Sequence, residues 1–327
     1  MRSRLKTILL VLLLPFGVVR AQDIHFSQVD ANPLLLNPAY TGFFEGNGRF
    51  GTCYRTQWGS VTNPYQTWAV TAEVALHRSR ERHSGISLGL FAFNDQAGAL
   101  SYGSRSANIS LGYFKSIDKR GLNIISCGIE GGIGQNGFST ANLDLYDPSE
   151  TIHHPSVAYP LLAAGAAWFS QPRDNLTAKV GFSARNLNRP NISYLGLDEV
   201  YLHTKWNLYS RLEYRYWPDV VLMPLALLQI QHNSRELLLG IDFKWIVDDG
   251  YRRLFSLIAG LTARQGDALL VNLGAEYNSF VFTFCYDINY SKLAAASHTI
   301  GSFELGLIYR FVKDKRSRNK ALSCPVF

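Results

Sequence analysis

The chain has few charged side chains and no long apolar segment beyond its first twenty residues. Charged residues make up 17% of the 327 residues, and the mean hydropathy is −0.03. No later segment has the apolar run of about 20 residues that a transmembrane helix needs. Aromatic residues are nonetheless abundant, at 13%. This composition fits a soluble β-protein and a membrane β-barrel equally well, so the periodicity of the side chains has to decide between them.

The sequence also lacks a cysteine framework. Cys53, Cys127, Cys285 and Cys324 are far apart and form no Cys-x-x-Cys pair. No histidine lies beside them at a metal-binding spacing. Three of the four fall within strand patterns, and we expect the cysteines to be small apolar fillers or free thiols.

Catalytic and metal-binding constellations are missing as well. There is no Gly-x-Ser-x-Gly motif, and the pair His153-His154 lies in a predicted outer loop with no carboxylate or cysteine spaced for ligation. Asp144 and Asp147 lack the regular spacing of a calcium loop. Residues 131–134 are rich in glycine, but no helix and no Lys-Ser/Thr follows, so they are interpreted as strand glycines. The sequence therefore predicts no enzyme, no cofactor and no metal site.

The first residues are typical of a secretory signal peptide. Three basic residues within the first six precede an apolar segment from Ile8 to Phe16. A small-residue cleavage site follows at residues 19–21, and the apolar segment is too short for a stable membrane anchor. We expect residues 1–21 to be removed after Ala21.

Positive charge is concentrated at the two ends of the chain. The formal net charge is +7, and four positive charges lie in the predicted signal peptide. The tail 313–327 carries five basic residues and one acidic residue, so the body between the two ends is slightly negative. A nucleic-acid-binding protein carries its positive charge on a folded face. The sequence therefore predicts no nucleic-acid binding.

Apolar and polar side chains alternate along much of the chain. In residues 68–76 one face is apolar and the other carries Thr71 and Glu73. The same alternation recurs in residues 176–185, 237–245 and 303–311. Period-two alternation is typical of β-strands with one apolar and one polar face.

About fourteen such strands are predicted, and several are longer than the five or six residues usual in soluble sheets. Their lengths match the strands of a tilted membrane barrel. The predicted strands cover residues 47–58, 65–76, 84–94, 103–115, 121–135, 161–170, 175–186, 204–217, 219–231, 236–247, 252–264, 267–277, 279–290 and 299–312.

The connections support the same prediction. A membrane barrel whose N-terminus lies in the periplasm alternates long outer loops with short inner turns. Long outer loops are predicted at 136–160 and 187–203. Short inner turns are predicted at residues 116–120, 171–174, 217–219, 248–250 and 278–279.

A soluble sandwich is the alternative fold, because its polar faces can also carry charges. Opposite charges on the polar faces would pair inside a barrel or remain wet on a sandwich. These charges are Arg49, Arg55, Glu73, Glu130, Lys179, Arg185, Lys205, Arg211, Glu213, Arg215, Asp242, Lys244, Glu276, Glu304 and Arg310.

Aromatic residues near the strand ends favour the barrel, since membrane barrels carry aromatic girdles at both interfaces. We therefore predict an all-β fold, a single antiparallel transmembrane β-barrel of about 14 strands over residues 47–312. The aromatic residues are Trp58, Trp68, Tyr113, Trp168, Trp206, Tyr214, Tyr216, Trp245 and Tyr309.

Residues 22–46 precede the strands and are predicted to contain two short helical turns. Asn32 is the expected cap, Pro33 the first helical residue and Gly42 the stop. The apolar residues 34–36 are unfavourable in water, so we expect this segment to pack at or in the barrel mouth.

Basic residues cluster in the predicted inner turns. Such a periplasmic rim would steer an acidic partner, or it would simply be solvated. The residues are His77, Arg78, Arg80, Arg82, His83, Lys119, Arg120, Arg173, Arg252 and Arg253, and the basic tail leaves on the same side.

Four motifs of the sequence are similar to those of one known family. The first is Phe26-Ser27-Gln28 followed by Asn32-Pro33-Leu34-Leu35-Leu36-Asn37-Pro38-Ala39-Tyr40-Thr41-Gly42. Two later motifs are Arg55-Thr56-Gln57-Trp58 and Pro190-Asn191-Ile192-Ser193-Tyr194-Leu195-Gly196, and the fourth is Gly301-Ser302-Phe303-Glu304-Leu305. The first motif resembles the N-terminal signature of the PorP/SprF family of the type IX secretion and gliding machinery of Bacteroidetes. The next two resemble later elements of that family, and the fourth resembles the start of its last strand, although histidine is common at the place of Phe303. The likeness covers Gln22 to Arg310.

The resemblance implies an outer-membrane barrel, surrounded by lipid, that does no chemistry. It implies support for the export or surface attachment of a secreted protein with a C-terminal sorting domain, and association with periplasmic and lipoprotein subunits of the machine. From position we select partner-binding candidates in the N-terminal motif: Asn32, Pro33, Asn37, Pro38, Tyr40 and Gly42. The alternatives are a passive or gated channel for small nutrients and, less favoured by the residues, an outer-membrane enzyme.

Overall fold

The computed structural model describes residues 26–57, 64–79, 83–98, 102–138, 156–194, 200–249, 254–291 and 300–312. Fourteen antiparallel strands form a closed barrel in which each strand pairs with its neighbours in sequence and β1 pairs with β14. The predicted fold is therefore confirmed. The strands are β1 Gly48–Gln57, β2 Tyr65–Ser79, β3 Ser84–Ala97, β4 Tyr102–Ser116, β5 Asn123–Gly137, β6 Ser156–Arg173, β7 Leu176–Arg185, β8 Lys205–Trp217, β9 Val220–Gln231, β10 Ser234–Asp249, β11 Leu254–Arg264, β12 Ala268–Tyr277, β13 Phe280–Asn289 and β14 Ile300–Phe311.

Alternation of side chains sets the inside and the outside of the wall. In β4, Ser106, Asn108 and Ser110 are buried in the lumen, whereas Ile109 and Leu111 are exposed on the outer surface. Successive side chains of a strand point to opposite faces, so a polar residue at every second position makes one polar wall. An apolar exterior and a polar interior are the arrangement expected of a barrel in lipid.

Aromatic side chains lie on the outer surface near both ends of the barrel. We call the end where β1 begins and β14 ends the terminal end, and the opposite end the far end. Trp68 and Trp206 are exposed near the far end, and Trp217 and Trp245 near the terminal end. Two such girdles are typical of the interfaces of a membrane barrel. The predicted girdle residue Trp58 lies outside the described residues.

Connections at the far end are of mixed length. The longest join β5 to β6 and β7 to β8, as predicted, but β9 and β10 are joined by only two residues. His232 in this turn has a φ of 52°, and Gly266 between β11 and β12 has a φ of 76°. Positive φ values at central turn residues are what tight hairpins require. The β5–β6 hairpin also extends further than predicted, because pairing continues to Gly137 and Ser156.

The segment before β1 lies inside the barrel, and we call residues 26–47 the plug. It contains a 3-10 turn at Val29–Ala31, the helix α1 at Pro33–Leu36 and a second 3-10 turn at Pro38–Tyr40. Its apolar side chains form two clusters with the lumen wall, one around Tyr40 and one around Leu34. The hydrophobic core of the molecule is therefore the interface between plug and wall.

The helical turns differ from the prediction in their cap. Asn32 precedes α1 but makes no capping hydrogen bond with its side chain. Asn37 is the residue that caps, accepting a hydrogen bond from the Ala39 backbone N–H at 2.8 Å. Asn37 is extended, with φ −156° and ψ 119°, because the residue before a proline is disfavoured in the helical region. Pro38 thereby divides the segment into two short pieces.

Cys53, Cys127 and Cys285 are free thiols, the first and last buried. No helix among the described residues is long and apolar enough to cross a membrane. Several residues considered above lie outside the part that the structure describes: Cys324, Asp144, Asp147, His153 and His154.

Candidate functional site

The plug runs through the lumen from the far end to the terminal end. Ser27, near its start, contacts residues close to the far ends of β1, β11, β13 and β14. Gly42, near its end, contacts residues closer to the terminal end of β2. The plug is therefore anchored along its length and fills the lumen between these contacts.

At the far end, the Glu304 carboxylate binds the first turn of the plug. It accepts hydrogen bonds from the backbone N–H of Ser27 at 2.7 Å and of Gln28 at 2.9 Å. Arg55 forms an ion pair with the same carboxylate at 2.7 Å. Because both charged side chains are almost fully buried, each depends on the other for stabilisation.

Two further buried charges complete this site, and we call Arg55, Arg264, Asp287 and Glu304 the far-end cluster. Arg264 lies 3.2 Å from Asp287 and donates a hydrogen bond to the Ser27 hydroxyl at 2.6 Å. Neither Arg264 nor Asp287 is among the lumen charges predicted from the sequence. Both continue the alternation of the polar face to the ends of their strands, which is the signal that would have found them.

Side chains of the wall bind the orphan carbonyls of the short helix. The Leu36 carbonyl accepts hydrogen bonds from the Ser183 hydroxyl and, at 2.9 Å, from the Asn207 amide. The Leu34 carbonyl accepts one from Arg185 at 3.1 Å. A single helical turn leaves most of its carbonyls without internal partners, so these contacts replace the water that the lumen excludes.

Asn37 fixes the plug to the same side of the wall, at β6 and β7. Its amide nitrogen donates to the carbonyl of Ala166 at 3.0 Å and of Phe182 at 3.2 Å, while its oxygen caps the second 3-10 turn. Asn37 therefore stabilises the plug and connects it to two adjacent strands with one side chain.

Wall glycines allow the plug to approach the strands closely. A Cβ atom at Gly128 would lie 2.2 Å from the Pro38 carbonyl oxygen, and one at Gly112 would lie 2.5 Å from the Thr41 carbonyl oxygen. Real Cβ atoms do not approach this closely, so a larger residue at either place would displace the plug.

In the middle of the lumen, Asp30 is the acidic anchor of the plug. Its carboxylate accepts a hydrogen bond from the Tyr209 hydroxyl at 2.8 Å and pairs with Arg211. Burial raises the pKa of Asp30, but the nearby Arg211 and Lys179 charges outweigh burial and hold that pKa below its usual value. The plug is thus held here by an ionised carboxylate.

Near the terminal end, two arginines hold the exit of the plug. Arg78 donates hydrogen bonds to the carbonyls of Gly42 and Phe44, both at 3.0 Å. Arg49 pairs with Glu73, which accepts a hydrogen bond from the Gly42 N–H at 2.9 Å. The Phe44 ring lies between the two guanidinium groups, 5.1 and 5.3 Å from them. Arg78, selected above as a rim residue, thus contacts the plug.

A cavity of about 310 Å³ remains between the plug and the wall, mostly toward the terminal end, and we call it the terminal-end cavity. Its wall combines apolar side chains with charges of both signs. Glu276 pairs with both Lys244 and Arg310, and Asp242 pairs with Arg211 at 2.6 Å. The plug and these ion pairs therefore leave a charge-lined cavity rather than a wide aqueous channel through the described part of the lumen.

The partner-binding candidates and the inward charges predicted from the sequence all lie inside the barrel. The six partner-binding candidates are all buried inside the barrel: Asn32, Pro33, Asn37, Pro38, Tyr40 and Gly42. The selected inward charges lie on the lumen side of their strands: Arg49, Arg55, Glu73, Lys179, Arg185, Arg211, Glu213, Arg215, Asp242 and Lys244.

The rim residues that the structure describes lie toward the terminal end. Lys119 and Arg120 are exposed in the turn between β4 and β5, at the terminal end. His77 and Arg173 are exposed as well, and His83 is half-buried, whereas four rim residues lie outside the described residues: Arg80, Arg82, Arg252 and Arg253.

Comparison with known proteins decides the family. The family model for type IX secretion system membrane protein PorP/SprF matches residues 18–309. The chain belongs to the PorP/SprF family. The resemblance carried by the N-terminal motif and the strand motifs is thereby confirmed, and the barrel is a membrane component of the type IX secretion class.

Solved structures show where else this fold occurs. The PorP/SprF chain is similar to the Ralstonia pickettii toluene transporter TbuX, with 9% identity, a TM-score of 0.53 and coverage of 86% of this chain and 94% of that one. A Pseudomonas aeruginosa FadL homologue matches with 13% identity, a TM-score of 0.52 and coverage of 84% and 93%. At such identities the likeness shows the fold alone, an outer-membrane-type barrel. A search of curated proteins finds no match.

Proposed function

We propose that this PorP/SprF barrel docks a secreted partner, or periplasmic and lipoprotein subunits of the type IX machine, for export or surface attachment. The observation that carries the proposal is the plugged lumen. A barrel whose interior is filled by its own N-terminal segment has its two ends and its lipid-facing wall available for partners. Family membership supports the secretion context.

The anchoring of the plug supports the docking proposal. Its contacts come from strands distributed around the whole barrel, among them the hydrogen bonds of Arg55 with Ser27 and of Arg185 with Leu34 and the ion pair of Arg211 with Asp30. Buried pairs of this kind are costly to separate. The plug therefore acts as a fixed part of the docking scaffold, and the terminal end is the surface that a periplasmic partner meets.

The exposed residues of that end fit an acidic partner. Lys119 and Arg120 lie in an exposed turn, and the basic tail 313–327 is expected on the same side. Positive charge on a rim accelerates the encounter with an acidic surface. We propose that the rim is periplasmic and that residues 1–21 direct export before cleavage after Ala21.

The first experiment is affinity purification of the tagged protein from native outer membranes in mild detergent, followed by mass spectrometry. Docking predicts recovery of a large secreted protein with a C-terminal sorting domain, or of lipoprotein subunits of the machine. An unrelated tagged barrel from the same membrane is the control. Recovery of the barrel alone, with neither partner enriched over the control, would contradict docking.

A gated channel for small nutrients is the second candidate, and the cavity at the terminal end is the observation that favours it. Deletion of residues 22–45 separates the two functions. If the plug serves docking, export of the cargo stops while the barrel still inserts into the membrane. If the plug closes a channel, conductance in planar bilayers rises above that of the full chain.

A further inference from the structure

Two opposite charges in the terminal-end cavity have no ion-pair partner among the residues that the structure describes. Lys179 on β7 and Glu213 on β8 both line the cavity. Neither forms an ion pair with another residue in the part of the chain that the structure describes. The other cavity arginines and Lys244 are paired with carboxylates. The unpaired charges therefore belong to one cation and one anion on adjacent strands.

Aromatic rings hold the Lys179 ammonium group without using its hydrogen-bond donors. Its Nζ atom lies 3.9 Å from the Tyr40 ring centroid and 5.3 Å from that of Tyr209. A ring face stabilises a cation electrostatically, while the three N–H groups of an ammonium stay available for an acceptor. The Lys179 side chain is thereby positioned at the cavity, and its N–H donors are available to a ligand.

The cavity also offers an apolar wall. Phe43 of the plug stacks on Phe169 of β6, and both line the cavity together with Leu225. Its volume of about 310 Å³ lies at the lower end of the range of small-molecule sites, which is roughly 300–1,000 Å³. A ligand of this size is one small molecule rather than a folded segment.

We propose that this cavity binds a free zwitterionic amino acid with an apolar side chain. The carboxylate of the ligand faces Lys179, its ammonium group faces Glu213, and its side chain packs against Phe43 and Phe169. A zwitterion matches the two unpaired charges and keeps the net charge of the cavity unchanged. An ion of one sign would satisfy only one of them. This site is independent of partner docking, which involves the outer surfaces of the barrel.

The test compares three probes on the full-length mature protein in nanodiscs by equilibrium dialysis. Phenylalanine carries both charges, 3-phenylpropionate only the carboxylate, and phenethylamine only the ammonium group. We expect phenylalanine to bind at least tenfold more tightly than either analogue. Equal binding of phenylalanine and one analogue would overturn the zwitterion assignment.

Variants assign each charge to its residue. Lys179→Met is expected to weaken phenylalanine and phenylpropionate at least tenfold but not phenethylamine, and Lys179→Arg is expected to restore binding. Glu213→Gln is expected to weaken phenylalanine and phenethylamine only. Lys119→Met, in the exposed turn, is the matched control.

Heat-modifiable gel migration verifies that each variant has a folded barrel. Loss of all three probes in both charge variants, with folding intact, would contradict the assignment of separate roles. Binding that is unchanged in both variants would also overturn the proposal. Because the assay needs no secretion machinery, its failure leaves the docking proposal untouched, and failure of docking leaves this result untouched.

Discussion

At the scale of single residues, the inward charges bind the plug as well as one another. Glu304 binds two backbone N–H groups of the plug and one arginine of the wall. Removing one member of a buried pair costs more than the pair itself contributes, because the remaining charge stays buried without compensation. The far-end cluster is therefore where a single substitution affects both plug and barrel.

Glu304→Gln removes the charge that Arg55 depends on. We expect a loss of about 3 kcal/mol in unfolding free energy, limited because Arg55 keeps Asp287 at 3.5 Å. Urea denaturation in detergent, followed by tryptophan fluorescence, measures the change. Asp174→Asn, in an exposed turn, is the control. Equal midpoints for the two variants would contradict a structural role for the cluster.

The Asp30 anchor gives the plug a dependence on pH. The pKa of Asp30 is lower in the folded protein than its usual value of 3.8. A lowered carboxyl pKa contributes stability that is complete above the usual value and is lost as the pH falls through the folded value. Wild type should therefore exceed Asp30→Asn in unfolding midpoint at pH 7, and the difference should shrink below about pH 4.

Limited proteolysis at pH 7 and at pH 3 measures directly whether the plug is released. The double variant Asp30→Asn, Glu304→Gln lacks both of these carboxylates. Its protease sensitivity is the control, because it shows how firmly the remaining contacts hold the plug. If the difference in unfolding midpoint between wild type and Asp30→Asn were as large at pH 3 as at pH 7, the Asp30 carboxylate would not be what holds the plug.

At the scale of elements, the fit between plug and wall decides the packing. The second 3-10 turn lies against β5 so closely that Gly128 has no room for a side chain. Gly131, three residues further along the same strand, has only one atom within contact distance of a new Cβ, at 3.9 Å. One strand thus contains a position that the plug restricts and one that it does not.

Gly128→Ala and Gly131→Ala form a matched pair. The first substitution puts a new Cβ atom against the backbone of the plug. Overpacking of this kind typically costs about 1–3 kcal/mol. The second should change the unfolding free energy by less than about 0.5 kcal/mol. Denaturant midpoints and protease sensitivity of the plug measure both. If Gly131→Ala were the more destabilising variant, the close approach of plug and wall would be refuted.

At the scale of the whole molecule, the apolar exterior implies lipid as its solvent. Ile129 in the middle of β5 is 63% exposed, and Ile117 in a turn at the terminal end is 66% exposed. In water these two side chains would be equivalent. In a bilayer they lie at different depths, because one is in the middle of a strand and the other lies beyond the strand end.

Arginine at these two positions measures that difference. A charge on the lipid face costs about 2–4 kcal/mol at the bilayer midplane and about 0–1 kcal/mol near the interface. We therefore expect Ile129→Arg to reduce folding into lipid vesicles strongly and Ile117→Arg to have little effect. Folding yield by gel migration is the readout. Equal effects would argue against a membrane-embedded wall.

The sequence by itself determined the wall of this barrel. Alternation such as that of Thr71 and Glu73 with apolar neighbours assigns each side chain to a face, because the period of a strand is two. Counting these segments predicted fourteen strands, and the N-terminal motif predicted the family. Both predictions rest on local patterns, which need no knowledge of distant contacts.

The tertiary structure alone decided how the interior is filled. Arg264 and Ser27 are far apart in sequence but make a hydrogen bond across the lumen, and no local pattern contains such a pair. For the same reason the sequence predicted a cap at Asn32, whose side chain makes no capping hydrogen bond, and missed the cap that Asn37 makes on the second 3-10 turn, because contacts with the wall fix that segment. Lys179 and Glu213 lie on the paired strands β7 and β8, but only the closed wall and the plug together make a cavity around them, because strand register and plug packing jointly set their surroundings.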